Sequence, residues 1–381
     1  MSAAHPHYTE EHQAFRQSLR RWVEREILPH VEAWEAARAF PRELYAKAAE
    51  IGLLGMGFPE AYGGVPMDPF HVIITCEELA RAAAGGLSAG LMSHSIGLPP
   101  VAHLGSEALK ARVIPPVLAG EKISALAVTE PSGGSDVANL RTTARRDGDH
   151  YVLNGQKTFI TSGMRADFIT CAVRTGGEGM GGISIVVVPG DAPGLARTPL
   201  EKMGWWCSDT ATLYFDECRV PAENLVGEEN MGFYHIMTNF QGERLIAAVS
   251  CVAGMELAVR DAIAYGDDRK AFGKPVSKFQ VWRHKLVEHM TAIEAARRLT
   301  YYAVDKFNKN PANATREITM AKLFAGDLAQ RVIYDCQQMY GGFGYVTEYA
   351  VARAFTDVRL ITIGGGTSEV MKEILVKMEG L

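Results

Sequence analysis

Residues 232–250 read GFYHIMTNFQGERLIAAVS, and the rest of the chain is organised around them. Phe233, Ile236, Met237, Phe240, Ala247, Ala248 and Cys251 recur at spacings of three and four, the period of a helix with one apolar face. Glu243 falls seven residues after Ile236 and four before Ala247, which places its carboxylate inside that stripe. Burial disfavours the charged form of a carboxyl and raises its pKa, as suits a general base working near neutral pH. An ion pair, or a stripe drawn one residue too wide, is the structural alternative.

Downstream the helical period continues over 232–265, 276–308, 313–340 and 367–379, with Asn310-Pro-Ala-Asn as a loop between the second and third. Four helices in succession suggest an antiparallel bundle. Upstream, from Ile123 to about Leu225, the texture changes to short alternating runs: ISALAVT, RTTARR, HYVLNG, KTFIT, DFITCAVR, ISIVVVP and ATLYFDE. Asn154-Gly155 between two such runs reads as a two-residue hairpin turn. Before residue 123 the pattern is helical again. It has a stripe from Phe15 to Ile27, a start at Pro41, nearly all-apolar segments at 69–84 and 87–104, and a last start at Ser106. The expected fold is α+β and multidomain. It has an N-terminal helical domain over 1–122, a middle antiparallel β domain (barrel or sandwich) over 123–230, and a C-terminal four-helix bundle over 231–381.

Composition narrows the class. The chain has 381 residues, 47% hydrophobic and 22% charged, with a net charge of −5, so no basic field invites nucleic acid or anionic lipid. Six cysteines are scattered without a C-x-x-C pair, which suggests a reducing compartment and no structural disulfide. No apolar run reaches spanning length, and the start, MSAAHPHYTEEHQAF, has no basic-then-apolar leader. A bacterial cytoplasmic location is expected ahead of a mitochondrial matrix.

Three apparent motifs carry nothing. Gly177-Glu-Gly-Met-Gly-Gly fits G-x-G-x-x-G, but the strand ISIVVVP follows it where dinucleotide binding needs a helix. His284 and His289 are five apart and share no helix face, so no zinc or other metal site is expected. Ser208 and Asp209 lack the G-x-S-x-G elbow of a hydrolase.

Four loops hold more small and hydrogen-bonding residues than packing requires. Ala127 to Asp136 runs a strand into a turn of hydroxyls and amides, and Phe159 to Gly163 ends a strand with an aromatic and two hydroxyls. Arg269 to Lys274, with Gln280 just beyond, offers a guanidinium suited to pyrophosphate. Gly364 to Glu369 gives three glycines before a helix N-terminus that favours an anion.

Together these residues resemble the acyl-CoA dehydrogenase family. TEPSGGSD at 129–136, NGQKTFITSG at 154–163, MGWWCSDT at 203–210, RKAFGK at 269–274 with Gln280, QMYGGFGY at 338–345 and GGGTSE at 364–369 stand in the family's order across essentially the whole chain. Many members carry the catalytic glutamate directly before the Gly-Thr of the last loop; here that position is Gly365. Long-chain and isovaleryl-type members carry the base on the first bundle helix, directly before an arginine, and this chain has Glu243-Arg244 there.

The resemblance implies FAD between the β domain and the bundle, bordered by Leu126, Ala127, Val128 and Thr129, by Gly134 and Ser135, and by Phe159, Ile160 and Thr161. It brings Thr367, Ser368 and Glu369 to the same cofactor. Arg269, Phe272 and Gln280, with Gln338, Met339, Tyr340, Gly341 and Gly342, are implied to meet the FAD of a neighbouring subunit in a homotetramer, a dimer of dimers. Acyl-CoA is implied to contact Ser135, Tyr234, Gln241, Arg244, Gly365 and Gly366, the Gly365 amide serving the thioester oxygen. Glu243 is then the base that removes the α proton while the β hydride passes to the flavin. Electrons continue to an electron-transfer flavoprotein. Base placement leans towards medium-to-long or methyl-branched acyl-CoA and fatty acid β-oxidation. The rival readings are a flavin oxidase or monooxygenase on the same fold and a non-catalytic acyl-CoA binder.

Overall fold

The computed structural model describes residues 8–381; the first seven, which fall in the expected N-terminal domain, lie outside the described residues. The N-terminal part comprises α1 (Glu10–Glu26), α2 (Val31–Ala37), α3 (Glu43–Glu50), α4 (Pro69–Ala80), α5 (Gly85–Leu91), α6 (His94–Gly97), α7 (Pro99–Leu104) and α8 (Glu107–Leu118). Side-chain caps start three of them: Thr9 for α1, Asp68 for α4 and Ser106 for α8. The segment expected as one helix over 87–104 is broken into three, with the prolines Pro99 and Pro100 opening the last. His12, Asp68 and His71 gather where α1 meets α4. The Thr9 amide donates to His12 Nδ1, so the neutral ring carries its proton on Nε2, facing Asp68 Oδ1 at 3.0 Å. That is a pair of linked helix caps.

The middle strands are β1 (Ser124–Ala127), β2 (Thr143–Asp147), β3 (His150–Thr161), β4 (Phe168–Arg174), β5 (Ile183–Pro189), β6 (Leu195–Pro199), β7 (Thr210–Pro221) and β8 (Leu225–Val226). The sheet runs β6-β7-β3-β2-β4-β5-β8, with β1 added parallel to β4. Two antiparallel halves meet at a single bridge, Thr143 with Arg174, so the sheet does not close and the barrel expectation is corrected. Nor is it purely antiparallel, because β1 returns alongside β4. β4 and β5 are buried along nearly their whole length, as unbroken apolar runs require when both faces are covered. One face packs on Tyr151, Leu153, Leu213 and Val220, and the other on Leu98, Val101, Val113 and Ile236 from the helices.

Asn154-Gly155 is not a hairpin turn. β3 runs straight through it, and the turn lies at Gly148, φ +62, between β2 and β3. Asn154 instead caps a bulge on β7: its Nδ2 donates to Glu217 Oε1 at 2.7 Å, and its Oδ1 accepts from the Glu217 amide at 2.9 Å. Gly155 is required because a Cβ there would stand 2.7 Å from Thr142 Cα.

The C-terminal part holds α9 (Gly232–Asp268), a two-strand ribbon of β9 (Lys270–Ala271) and β10 (Lys274–Pro275), α10 (Gln280–Lys309), α11 (Thr315–Tyr340), α12 (Ala350–Val358) and α13 (Ser368–Glu379). α12 adds a short helix that periodicity did not show. On it, Asp357 accepts from the amides of Gly85 (2.9 Å) and Trp205 (2.6 Å), so one buried carboxylate ties α5, the 203–210 loop and the bundle together. α9 is the spine: Ile236 packs on the N-terminal helices and sheet, and Leu245 to Ala262 pack on α10 and α11. All six cysteines are free thiols. Among the described residues no helix is long and apolar enough to cross a membrane.

Candidate active site

Glu243 lies on α9 where the helix passes from the N-terminal domain into the bundle. It is half-buried, and burial pushes its carboxyl up to about 8, against the weaker pull of the Arg244 charge and the Asn239 amide. Oε1 accepts from Asn239 Nδ2 at 3.1 Å, while Oε2 has no partner among the described residues. Arg244 is buried on the next face, and its Nε donates to the Gly365 carbonyl at 3.2 Å. Lys322 of α11, 1% exposed, donates to the carbonyl of Gly366. Ser368 Oγ donates to Asp327 Oδ1 at 2.8 Å, and Thr367 Oγ1 caps α13.

The 364–368 loop is therefore held through its carbonyls and side chains, while the Gly365 amide has no acceptor among the described residues. Gly365 and Gly366 sit at φ +66 and +98, a region that glycine enters without strain. Four predicted residues, Glu243, Arg244, Gly365 and Gly366, thus converge. Tyr234 is exposed on the same helix, and Gln241 keeps a buried Oε1 with no partner among the described residues.

The second cluster lies on the sheet. A register shift between Lys157 and Ile160 bulges β3 and throws Phe159 out at φ +61, 68% exposed. Strained, exposed aromatic residues at bulges mark functional sites. Behind them, fully buried Lys157 donates to Glu130 Oε1 at 2.8 Å and to the Val128 carbonyl at 2.9 Å, and Glu130 also accepts from the amides of Arg141 and Thr142. The Thr158 amide donates to the Thr129 carbonyl at 2.9 Å. The 126–135 loop is thereby clamped against 157–161, leaving the hydroxyls of Thr129, Ser135 and Thr161 without partners among the described residues. An exposed ring edged by free hydroxyls suits a flat heteroaromatic group with polar edges, as FAD has. Leu126 and Ala127 lie under this surface, and Gly134 is close-packed on Thr129, 3.0 Å from its Cγ2 at the Cβ position.

A third group stands apart. From Glu243 to Arg269 the backbone advances 26 residues, about 39 Å at 1.5 Å each. There Arg269 lies over the Phe343 ring at 5.7 Å, Phe272 is 96% exposed, Gln280 opens α10 in solvent, and Tyr340 stacks on Tyr265 at 4.1 Å. Gln338, Gly341 and Gly342 are exposed beside them, and Glu369 is exposed at the start of α13. Met339 is a core residue packed over Gly266, so only its backbone could face a ligand. Sequence reasoning missed Asn239, Lys157, Glu130 and Lys322. Asn239, four residues before Glu243, carried the one available signal, helical spacing.

Three family profiles match in order: acyl-CoA dehydrogenase N-terminal domain over residues 9–121, middle domain over 125–218 and C-terminal domain over 230–379. The mitochondrial long-chain specific acyl-CoA dehydrogenase of Sus scrofa is 38% identical over 97% of this chain and 86% of its own length. The crystal structure of a probable acyl CoA dehydrogenase from Mycobacterium abscessus superposes with a TM-score of 0.96 at 45% identity, covering 98% of this chain and 99% of that one. An acyl-CoA dehydrogenase of Bacillus anthracis complexed with FAD gives 0.93 at 30% identity, over 98% of this chain and 68% of its own.

Proposed function

The chain belongs to the acyl-CoA dehydrogenase family of FAD-dependent oxidoreductases, and from that premise we propose that Glu243 is its catalytic base. The reaction is α,β-dehydrogenation of an acyl-CoA thioester to the trans-2-enoyl-CoA. Glu243 takes the proton from the α carbon as that C–H bond breaks, and the electron pair released forms the new double bond. FAD, when bound, takes the hydride from the β carbon. The carrying observation is the lone carboxylate in an apolar stripe, hydrogen-bonded to a neutral amide on one oxygen and free on the other.

An α proton is weakly acidic until the thioester oxygen is polarised. The Gly365 amide is the donor we assign, held by Arg244 and Lys322 through the two carbonyls that follow it. Ser135, Tyr234, Gln241 and Gly366 are the other substrate contacts of this reading. The acyl group is medium-to-long or methyl-branched, in keeping with a base on the bundle helix.

The Arg269, Phe272, Gln280 and 338–342 group serves the FAD of a second subunit in a dimer of dimers. Its separation from Glu243 along α9 and the exposed Phe272 and Tyr345 support that assignment. Electrons leave to an electron-transfer flavoprotein, and the compartment is the bacterial cytoplasm, in line with the bacterial structures that resemble this chain.

Anaerobic titration of the holoprotein with a panel of acyl-CoAs, with Glu243→Gln in parallel, tests the reading. Bleaching of the flavin in the parent and its loss in the variant are expected. A variant that is reduced at the parent's rate removes Glu243 from the mechanism.

A further inference from the structure

Asn239 stands one turn before Glu243 on α9, and no motif singles it out. Its Nδ2 donates to Glu243 Oε1 at 3.1 Å and to the Ile96 carbonyl of α6 at 3.1 Å. Both neighbours are acceptors, so chemistry fixes the orientation of the amide: turned over, it would set three oxygens against one another. The two hydrogens of one NH2 group are thus divided between the base and the N-terminal domain.

We infer that Asn239 is a positioning residue for Glu243, holding one carboxylate oxygen, presenting the other to the substrate, and anchoring the base to the α6 backbone. The inference rests on the reading of Glu243 as the base. A glutamate side chain has three rotatable bonds and would otherwise spread over several rotamers. A donor four residues earlier on the same face restricts it. The donor is neutral, which matters: a cation at that distance would hold the carboxylate ionised and blunt it as a base.

The other groups on the elements packed along α9 leave this role to Asn239. Arg244, its neighbour on α9, spends Nε on the Gly365 carbonyl. On α6, burial holds the His94 imidazole down to about 4, so it is neutral at working pH. The loop offers Gly365 and Gly366, which carry no charge, and Lys322 of α11 is engaged with the Gly366 carbonyl.

The test uses holoenzyme carrying Asn239→Leu, close in volume but without a donor, and the isosteric Asn239→Asp, which carries the test if the leucine variant fails to fold. Two readouts are taken: the pH profile of flavin reduction by the acyl-CoA that bleaches the parent fastest, and the titration of the Glu243 carboxyl. The latter is followed by isotope-edited infrared spectroscopy and identified by its loss in Glu243→Gln. One hydrogen bond to a charged group is about a tenfold effect, so Asn239→Leu is expected to move both curves up by about one pH unit. Asn239→Asp, adding a like charge, is expected to move them further. A rate reduced equally at every pH, with the infrared titration unmoved, would overturn the positioning role and leave the base reading standing. A normal rate in Glu243→Gln would defeat the base reading, and this inference with it.

Discussion

Arg244 reaches from α9 to the carbonyl of Gly365, 121 residues further along the chain, and donates through Nε at 3.2 Å. Glu243 and the Gly365 amide are therefore tied to one contact: Glu243 precedes the arginine, and the amide belongs to the residue whose carbonyl the arginine holds. In the proposed mechanism a single guanidinium, desolvated by burial and supported by the Glu243 charge, would align both the base and the oxyanion donor.

Removing that guanidinium should therefore act on rate more than on binding. Losing an oxyanion donor costs roughly a hundredfold or more, and a donor left misaligned costs a similar order. Arg244→Ala is expected to slow flavin reduction by about a hundredfold in stopped-flow measurements. Arg244→Lys recovers only part, since an ammonium keeps the charge and loses the planar fork.

The raised carboxyl of Glu243 sets two pH dependences of opposite sign. The base must be ionised, so kcat/KM should rise about tenfold per pH unit below about 8 and level off above it. Stability runs the other way. From the ordinary 4.5 to about 8 the folded state keeps a proton that the unfolded state has lost, so folding weakens as pH rises through that window. Glu243→Gln lacks this term. The parent is expected to lose stability relative to the variant between pH 5 and 8.5, read from urea unfolding of the two holoproteins.

The Lys157–Glu130 pair should behave as a buried pair whose members cannot be removed singly. Lys157→Met leaves Glu130 charged and buried, a change that typically costs about 3–5 kcal/mol. It also frees the Val128 carbonyl, loosening the 126–135 loop. Loss of flavin on gel filtration and a lowered melting temperature are expected. The double variant Lys157→Met, Glu130→Gln should regain much of the stability, because no lone charge remains.

That pair also shows where the sequence was readable and where it was not. Glu243 was legible because helical spacing has a fixed period, and one residue is enough to betray a carboxylate in an apolar stripe. Lys157 lies on β3 and Glu130, 27 residues earlier, in the loop after β1, and only the folded chain brings them together. Asn154-Gly155 carried a turn signal, but β3 continues through it and the irregularity there is a bulge on the facing strand β7. The α–β–α order was plain from the change of period, whereas the breaks at Met92-Ser93 and at Leu98 inside an apolar run, and the short helix α12, depend on which faces neighbouring elements cover.

The last prediction concerns the position where Gly365 now stands. A Cβ built there meets no atom within 4 Å, so a side chain would enter open space beside the loop that faces Glu243. Its backbone, at φ +66, charges any residue with a Cβ about 1–2 kcal/mol of left-handed strain, small against the stability of a domain. Gly366 differs: at φ +98 its Cβ would lie 2.5 Å from Cε of the buried Met371 and 3.7 Å from Nη2 of Arg244, the residue that holds the Gly365 carbonyl. In the Glu243→Gln background, Gly365→Glu is expected to restore flavin reduction at least about tenfold over Glu243→Gln alone, a gain of roughly 1.4 kcal/mol in the barrier. Gly366→Glu in the same background should restore none and should lower the melting temperature. Equal failure of both would mean that the open space beside Gly365 does not lead to the α carbon, and that a base can reach the substrate only from α9.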